Sequence, residues 1–135
     1  IMNGSISKSL GNYYKTNKSK LHPFTLNRIE AGISVSAKNY IEAIEKAKKM
    51  KRALSEVFEK FDAIITPAAP GQAPRDLMNT GNAIFNGYWT MLGVPAISLP
   101  LLKGKDDLPI GVQIITSWNK EAELLDISNI ILSQT

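Results

Sequence analysis

The sequence contains no cysteine, only one histidine and no long apolar run, and each shortage excludes a class of chemistry. Without cysteine, the chain forms no disulfide, no zinc site built on thiolates and no thiol nucleophile. No apolar segment approaches the roughly 18 to 20 residues that a membrane-spanning helix needs, and residues 1–4 lack the pattern of a secretory signal. We therefore expect no membrane contact and take the cytoplasm as the default compartment.

The single histidine, His22, is followed by Pro23 in a polar neighbourhood. A Ser-His-Asp triad or a metal site built on it would need partners that the sequence does not indicate, so the pattern favours a loop histidine. We predict neither a metal nor a cofactor. Ser5 and Lys8 match a Ser-x-x-Lys pattern, but its companion Ser-Asp-Asn and Lys-Thr-Gly motifs are absent, so we interpret the match as chance.

Positive charge exceeds negative charge, giving a formal net charge of +4, whereas aromatic residues make up only 7% of the chain. Neither group of cations is interleaved with the aromatic side chains that stack on bases. We interpret both groups as solvated surface and expect no nucleic-acid partner. The groups are Lys15, Lys18 and Lys20, and Lys46, Lys48, Lys49, Lys51 and Arg52.

A chain of 135 residues with 44% hydrophobic content suits one domain with its own core, so residues 1–135 are interpreted as part of a single domain. The clearest helix is predicted from Ser34 or Ser36 to about Lys60, and its apolar face must be buried. Residues 3–19 have a diluted helical spacing and remain ambiguous. The apolar positions of the clear helix are Tyr40, Ala43, Ile44, Ala47, Met50, Leu54, Val57, Phe58 and Phe61.

Short apolar runs predict strands. Residues 62–66 lack polar alternation, which is typical of a strand covered on both faces, and a stiff loop containing Pro67, Pro70 and Pro74 follows. Residues 110–115 predict a later strand, in which Gly111 indicates a close backbone approach and Gln113 needs hydrogen-bond partners if buried. We expect a last helix capped by Asn119 to cover the sheet.

Residues 79–100 carry the most information. Asn79 or Thr80 can cap a helix that ends at Gly93, because glycine takes the left-handed conformation without steric cost and Pro95 cannot continue a helix. Residues 96–99 then predict a strand closed by Pro100, and we expect it to pair antiparallel with residues 110–115.

Several of these segments, in matching order, resemble the C-terminal part of amidase signature enzymes. They are Phe61-Asp62-Ala63-Ile64-Ile65-Thr66-Pro67, Ala73-Pro74, Thr80-Gly81, Phe85-Asn86, Trp89-Thr90, Gly93-Val94-Pro95-Ala96 and Leu108-Pro109-Ile110-Gly111-Val112-Gln113. The resemblance covers roughly the last three quarters of the chain. It implies an α/β fold class, specifically the C-terminal segment of the amidase signature fold, with a mixed β-sheet covered by helices.

The resemblance also implies amide hydrolysis through a Ser-cis-Ser-Lys triad, in which a neutral lysine and a bridging serine activate the nucleophilic serine. None of those three catalytic residues has a counterpart here, so the catalytic N-terminal half is expected to lie outside this chain. Most of the implied substrate-binding residues lie at the start of the central helix. The other is an arginine, whose counterpart in glutamine-acting members of the family binds a substrate carboxylate. They are Thr80, Gly81, Asn82, Phe85, Asn86 and Arg28.

Two hypotheses follow. In the first, the chain is the C-terminal portion of an amide hydrolase, supplying scaffold and part of the pocket for a small-molecule amide, with the upstream catalytic half of the same enzyme as its partner. In the second, it is a non-catalytic binding or assembly module that retains part of the amidase fold. A homodimer is also left open as an assembly. Whether Arg28 is a substrate ligand or a surface residue stays open at this level too.

Overall fold

The computed structural model describes residues 1–134, and these form two compact units, Ile1–Met50 and the part from Lys51 onward. The α/β fold class is confirmed: within the described residues, five α-helices accompany a three-stranded sheet, which is antiparallel throughout and not mixed as predicted.

The first unit begins with two helices, α1 (Met2–Asn17) and α2 (Pro23–Ile33), joined through a 3-10 turn at Lys18–Lys20. Pro23 starts α2 because its fixed φ suits the first helical position. His22 is the N-cap, and its Nδ1 accepts a 3.3 Å hydrogen bond from the backbone N–H of Phe24. The lone histidine is therefore exposed and outside the helix, as the sequence favoured, and it also caps α2.

The long predicted helix is confirmed as α3 (Ala37–Phe58). The hydroxyl of Ser36 accepts a 3.1 Å hydrogen bond from the N–H of Asn39 and so stabilises its start. Only part of its predicted apolar face is buried within the described residues. Leu54 is buried, but Val57 is 37% exposed and Phe61, just beyond the helix, is 63% exposed.

The three strands are β1 (Ala63–Pro67), β2 (Ala96–Lys103) and β3 (Pro109–Thr116). Their order is β1-β3-β2, and both pairings are antiparallel, as predicted for β2 with β3. The predicted strand end at Pro100 is wrong, because β2 continues to Lys103 through an irregularity between Leu99 and Leu102. Pro100 is tolerated there because β2 is an edge strand, where a missing N–H breaks no ladder.

Alternate residues of β3 face opposite sides of the sheet. Ile115 packs on one side with Leu54, Leu92 and Val94, whereas Ile114 packs on the other with the last helix, α5 (Glu121–Leu132). The prediction that a terminal helix covers the sheet is confirmed.

Two other details differ from the sequence prediction. Residues 62–66 were predicted to be covered on both faces, but Ile65 is 60% exposed, although Ala63 on the same strand packs against the cluster of Ile114 and Leu124. The predicted Asn119 cap is also wrong: Asn119 takes a positive φ of 59°, and Lys120 occupies the N-cap without a side-chain cap bond.

The central helix is shorter than predicted. Helix α4 spans Gly87–Leu92, so neither Asn79 nor Thr80 caps it. Its predicted end is confirmed, because Gly93 has a φ of 69° and its N–H bonds the carbonyl of Trp89 at 2.8 Å.

Candidate functional site

A cavity of about 530 Å³ lies in the second unit, where the proline-rich loop after β1 folds back beside strands β2 and β3. It lies on the sheet face that carries Gln113 and Ile115. It contacts this face at Gly111, which precedes Gln113 by two residues on β3. Its lining comprises small, uncharged residues: Ala68, Ala69, Pro70, Gly71, Gln72, Ala73, Pro74, Thr80, Gly81, Asn82, Ser98, Pro100, Pro109 and Gly111.

The loop that walls the cavity is held against β3 by backbone hydrogen bonds. The N–H of Ala68 donates to the carbonyl of Gly111, and that of Ala73 donates to the carbonyl of Pro109, each at 2.9 Å. The side-chain amide of Gln72 donates to the carboxylate of Asp106 and accepts from the Asp106 N–H at 3.3 Å. These contacts fix a segment whose prolines give it no regular structure of its own.

The floor of the cavity depends on the absence of a side chain at Gly111. A Cβ added there would lie 2.6 Å from Oγ of Ser98, closer than real Cβ atoms come to other atoms, and 3.0 Å from Cβ of Ala68, which is tighter than ordinary contact. The predicted close approach at Gly111 is confirmed. Sequence reasoning did not select Ser98, although a polar residue between Ile97 and Leu99 was the available signal.

Residues 79–83 have no regular structure instead of the predicted helix. Oδ1 of Asn79 accepts from the N–H of Gly81 at 2.9 Å, and Oδ1 of Asn82 accepts from the N–H of Ile84 at 3.0 Å. Asparagine side chains that bond the backbone two residues on compete with helix formation. Gly81 also has a positive φ of 80°, which a helix does not permit.

The cavity brings together three of the six residues expected to bind substrate. Thr80, Gly81 and Asn82 line it, whereas Phe85 and Asn86 lie outside its wall. Asn86 instead accepts a 2.9 Å hydrogen bond from Nε2 of Gln113. Gln113 is only 7% exposed, and its Oε1 accepts from the hydroxyl of Thr66 at 3.4 Å, so the predicted need for partners is met.

Arg28 lies on α2 in the first unit. Its Nε donates a 3.1 Å hydrogen bond to Oδ1 of Asn3, and its guanidinium carbon is 5.6 Å from the centre of the Phe24 ring. These contacts use one donor of the guanidinium and one of its faces. A carboxylate-binding role for Arg28 therefore stays a prediction.

The cavity lining has no acid or base beside a nucleophile. Ser98 is its serine, and neither a histidine, a lysine nor a carboxylate belongs to the lining. Ser5 of the Ser-x-x-Lys pattern has its Oγ 3.5 Å from the hydroxyl of Tyr40. Among residues 1–134, no three His, Cys, Asp or Glu side chains converge as a metal site. None of the helices in this described part combines the length and apolar character that crossing a membrane requires.

The amidase family model matches residues 4–125 of the chain, and related sequences cover most of it. A glutamyl-tRNA(Gln) amidotransferase subunit from Wolbachia sp. subsp. Drosophila simulans (strain wRi) is 31% identical over 108 residues, which cover 73% of this chain and 22% of that protein. The protein of the same name from Agathobacter rectalis is 32% identical over 129 residues, covering 86% of this chain and 26% of that protein.

Solved structures show the same fold. A crystal structure of an amidase matches with a TM-score of 0.84 at 19% identity, over 98% of this chain and 33% of that one. A 6-aminohexanoate cyclic dimer hydrolase matches with a TM-score of 0.68 at 20% identity, over 91% of this chain and 30% of that one. The chain thus spans about a quarter of the length of the curated relatives described above. Because the family model matches residues 4–125, the chain belongs to the amidase family.

Proposed function

We propose that the chain acts as the C-terminal segment of an amide hydrolase, which converts a carbon-nitrogen amide bond to a carboxylate plus ammonia or an amine. The observation that carries the proposal is the position of the cavity. All of its lining, from Ala68 to Gly111, falls inside the stretch that the amidase family model matches. A concave, mostly apolar pocket with a few polar groups is the usual form of a small-molecule site.

The chain contributes scaffold and part of the substrate pocket in this proposal, and it supplies no catalytic residue. Amide hydrolysis needs an activated nucleophile and an oxyanion site, each worth orders of magnitude in rate. The cavity lining offers the hydroxyl of Ser98 without a base to activate it. The prolines at positions 67, 70 and 74 also remove backbone N–H donors that an oxyanion site could use.

The catalytic groups would come from the remainder of an amidase domain, in the same polypeptide or as a bound partner. Two features of the second unit support a covering partner. Ile65 on the edge strand β1 and Phe61 just before it are both more than half exposed, at 60% and 63%. Apolar side chains at an open sheet edge are the surface that further strands or helices cover.

The test compares the 135-residue chain with the protein that contains a complete amidase domain, on a panel of small aliphatic and aromatic amides. We expect turnover by the complete protein and none by the 135-residue chain. Turnover by the short chain that disappears with Ser5→Ala or Lys8→Ala would contradict the proposal and revive the Ser-x-x-Lys interpretation. Binding without turnover in the complete protein would favour the non-catalytic module.

A further inference from the structure

We infer that the cavity binds the uncharged, apolar portion of an amide substrate and that Gly111 sets how deep this portion reaches. The inference rests on the proposed function and adds the substrate class. It follows from the chemistry of the lining, the pairing of nearby charges and the close packing of Ser98 and Ala68 against Gly111.

The lining is small and carries no ionisable side chain. Most of it is alanine, proline and glycine, and its polar side chains, those of Gln72, Thr80, Asn82 and Ser98, are all neutral. An ammonium or carboxylate group placed there would lose hydration without gaining an opposite charge, which is costly. An aliphatic or aromatic group would instead gain by leaving water.

Two charges beside this loop are paired with each other. Asp106 forms a 3.0 Å ion pair with Arg75 and is also hydrogen-bonded by Gln72. Its carboxylate is therefore occupied, and the Gln72 amide that bonds it from the cavity lining is neutral. The pairing partly satisfies both charges, so neither is an isolated counter-ion for a charged substrate.

The polar groups that remain suit the carbonyl or N–H of an amide. Oδ1 of Asn82 accepts from the backbone of Ile84, so its Nδ2 amide is the part left to donate to a substrate carbonyl. Thr80 adds a hydroxyl that both donates and accepts. The neutral polar groups of Thr80 and Asn82 in a mostly apolar cavity fit a ligand with one polar amide and a longer apolar part.

Gly111 fixes the depth. An added Cβ would meet two atoms that already fill this space, Oγ of Ser98 at 2.6 Å and Cβ of Ala68 at 3.0 Å. Replacing Gly111 by alanine therefore displaces Ser98 and Ala68, both of which line the cavity, and so makes the cavity shallower. Removing the Ser98 hydroxyl relieves the closer of these two contacts. Single and double variants at Gly111 and Ser98 can therefore be compared in a double-mutant cycle.

The experiment uses the protein with its complete amidase domain. Straight-chain amides of increasing apolar length are tested as substrates, and ketones of the same carbon chains, which cannot be hydrolysed, are tested for binding by calorimetry. Glutamine serves as the charged amide. Four variants are compared with the wild type: Gly111→Ala, Ser98→Ala, the double variant, and Gly87→Ala, where an added Cβ meets nothing within 4 Å.

We expect the wild type to bind longer ketones more tightly and to have a lower kcat/KM for glutamine than for the neutral amide of equal length. Gly111→Ala should lower kcat/KM and ketone affinity for the longest chains by roughly tenfold or more, since one methylene in an apolar pocket discriminates by that order. The shortest amide should stay within about twofold, and it reports folding. The double variant should recover part of the loss, and Gly87→Ala should change neither quantity.

A loss with Gly111→Ala that is equal for all chain lengths, or a preference for glutamine, would overturn the inference while amide hydrolysis still stands. Length-dependent ketone binding without hydrolysis of any amide would leave the inference standing and refute the proposed function. Absence of both binding and turnover would refute the two together.

Discussion

Nε2 of Gln113, in the central strand β3, donates a 2.9 Å hydrogen bond to Oδ1 of Asn86, the residue that immediately precedes helix α4. The same side chain accepts a hydrogen bond from Thr66 on β1. One buried amide thus ties β1 and β3 to the residue at the start of α4. Its neighbours across the sheet are Thr66 on one side and Ser98 on the other.

We expect Gln113→Leu to lower the free energy of unfolding by about 1 to 3 kcal/mol. Leucine is of similar size, but it leaves the Oδ1 of Asn86 and the hydroxyl of Thr66 without their partner. Urea unfolding followed by circular dichroism measures the change. A double-mutant cycle with Asn86→Ala separates the bond from general packing, and strictly additive effects would show that the two side chains do not interact.

Asn82 and Asn79 offer a matched pair for testing the pocket. Both make the same kind of turn, with Oδ1 accepting a backbone N–H at 3.0 and 2.9 Å, but only Asn82 lines the cavity. We expect Asn82→Ala in the complete protein to raise KM or alter amide preference, and Asn79→Ala to leave both unchanged. Equal kinetic effects would mean that the loop conformation matters and that Asn82 makes no contact with substrate.

Two glycines of the first unit should respond in opposite ways to alanine. At Gly32 on α2, an added Cβ would overlap the backbone carbonyl of Asn3 on α1 and approach Cβ of Ser7 at 2.9 Å. We expect Gly32→Ala to cost about 1 to 3 kcal/mol in the free energy of unfolding, because the backbone of α1 must shift.

Gly11 is the control for that experiment. It lies within α1, and an added Cβ there meets nothing within 4 Å. Gly11→Ala should stabilise the protein by about 0.5 to 1 kcal/mol through helix propensity. Thermal unfolding of the two variants decides the matter, and destabilisation by both would indicate that α1 and α2 do not pack as described.

Glu30 should give the first unit a pH dependence. Lys18 donates a hydrogen bond to Oε1 of Glu30 at 2.8 Å and Tyr14 donates one at 3.1 Å, and these lower the pKa of the carboxyl from its ordinary value of 4.5. Because the pKa is lower in the folded state, the stabilisation is present above pH 4.5 and is lost as pH falls through the lowered value.

We expect Glu30→Gln to remove that acid-dependent loss. Glu42→Gln is the control, because Glu42 is also an exposed carboxylate but its partner Lys38 is 3.9 Å away. Urea unfolding of both variants at neutral and acidic pH measures the difference. Both effects should be small, since exposed ion pairs contribute little. A pH dependence unchanged in Glu30→Gln would contradict the assignment.

Local sequence patterns predicted the features that depend only on neighbouring residues in the chain. The apolar spacing of residues 37–58 predicted α3, and the order of Gly93 and Pro95 predicted the end of α4. The close approach at Gly111 and the hydrogen-bond partners of Gln113 were also predicted. A glycine within a strand indicates close packing, and a polar side chain in an apolar run must find partners when it is buried. The helix predicted from Asn79 failed because side-chain bonds from Asn79 and Asn82 compete with helix geometry.

The sequence by itself determined the α/β class, the antiparallel pairing of β2 with β3 and the amidase resemblance, because these depend on periodicity, turn residues and the order of short motifs. Only the tertiary structure decided that the loop at residues 68–74 meets Ser98 and Gly111 around one cavity, and that α5 leaves Ile65 uncovered. Those facts join residues that lie far apart in the chain. Distance in sequence carries no information about which of them meet, because the sheet register and the backbone bonds from the loop to β3 bring them together.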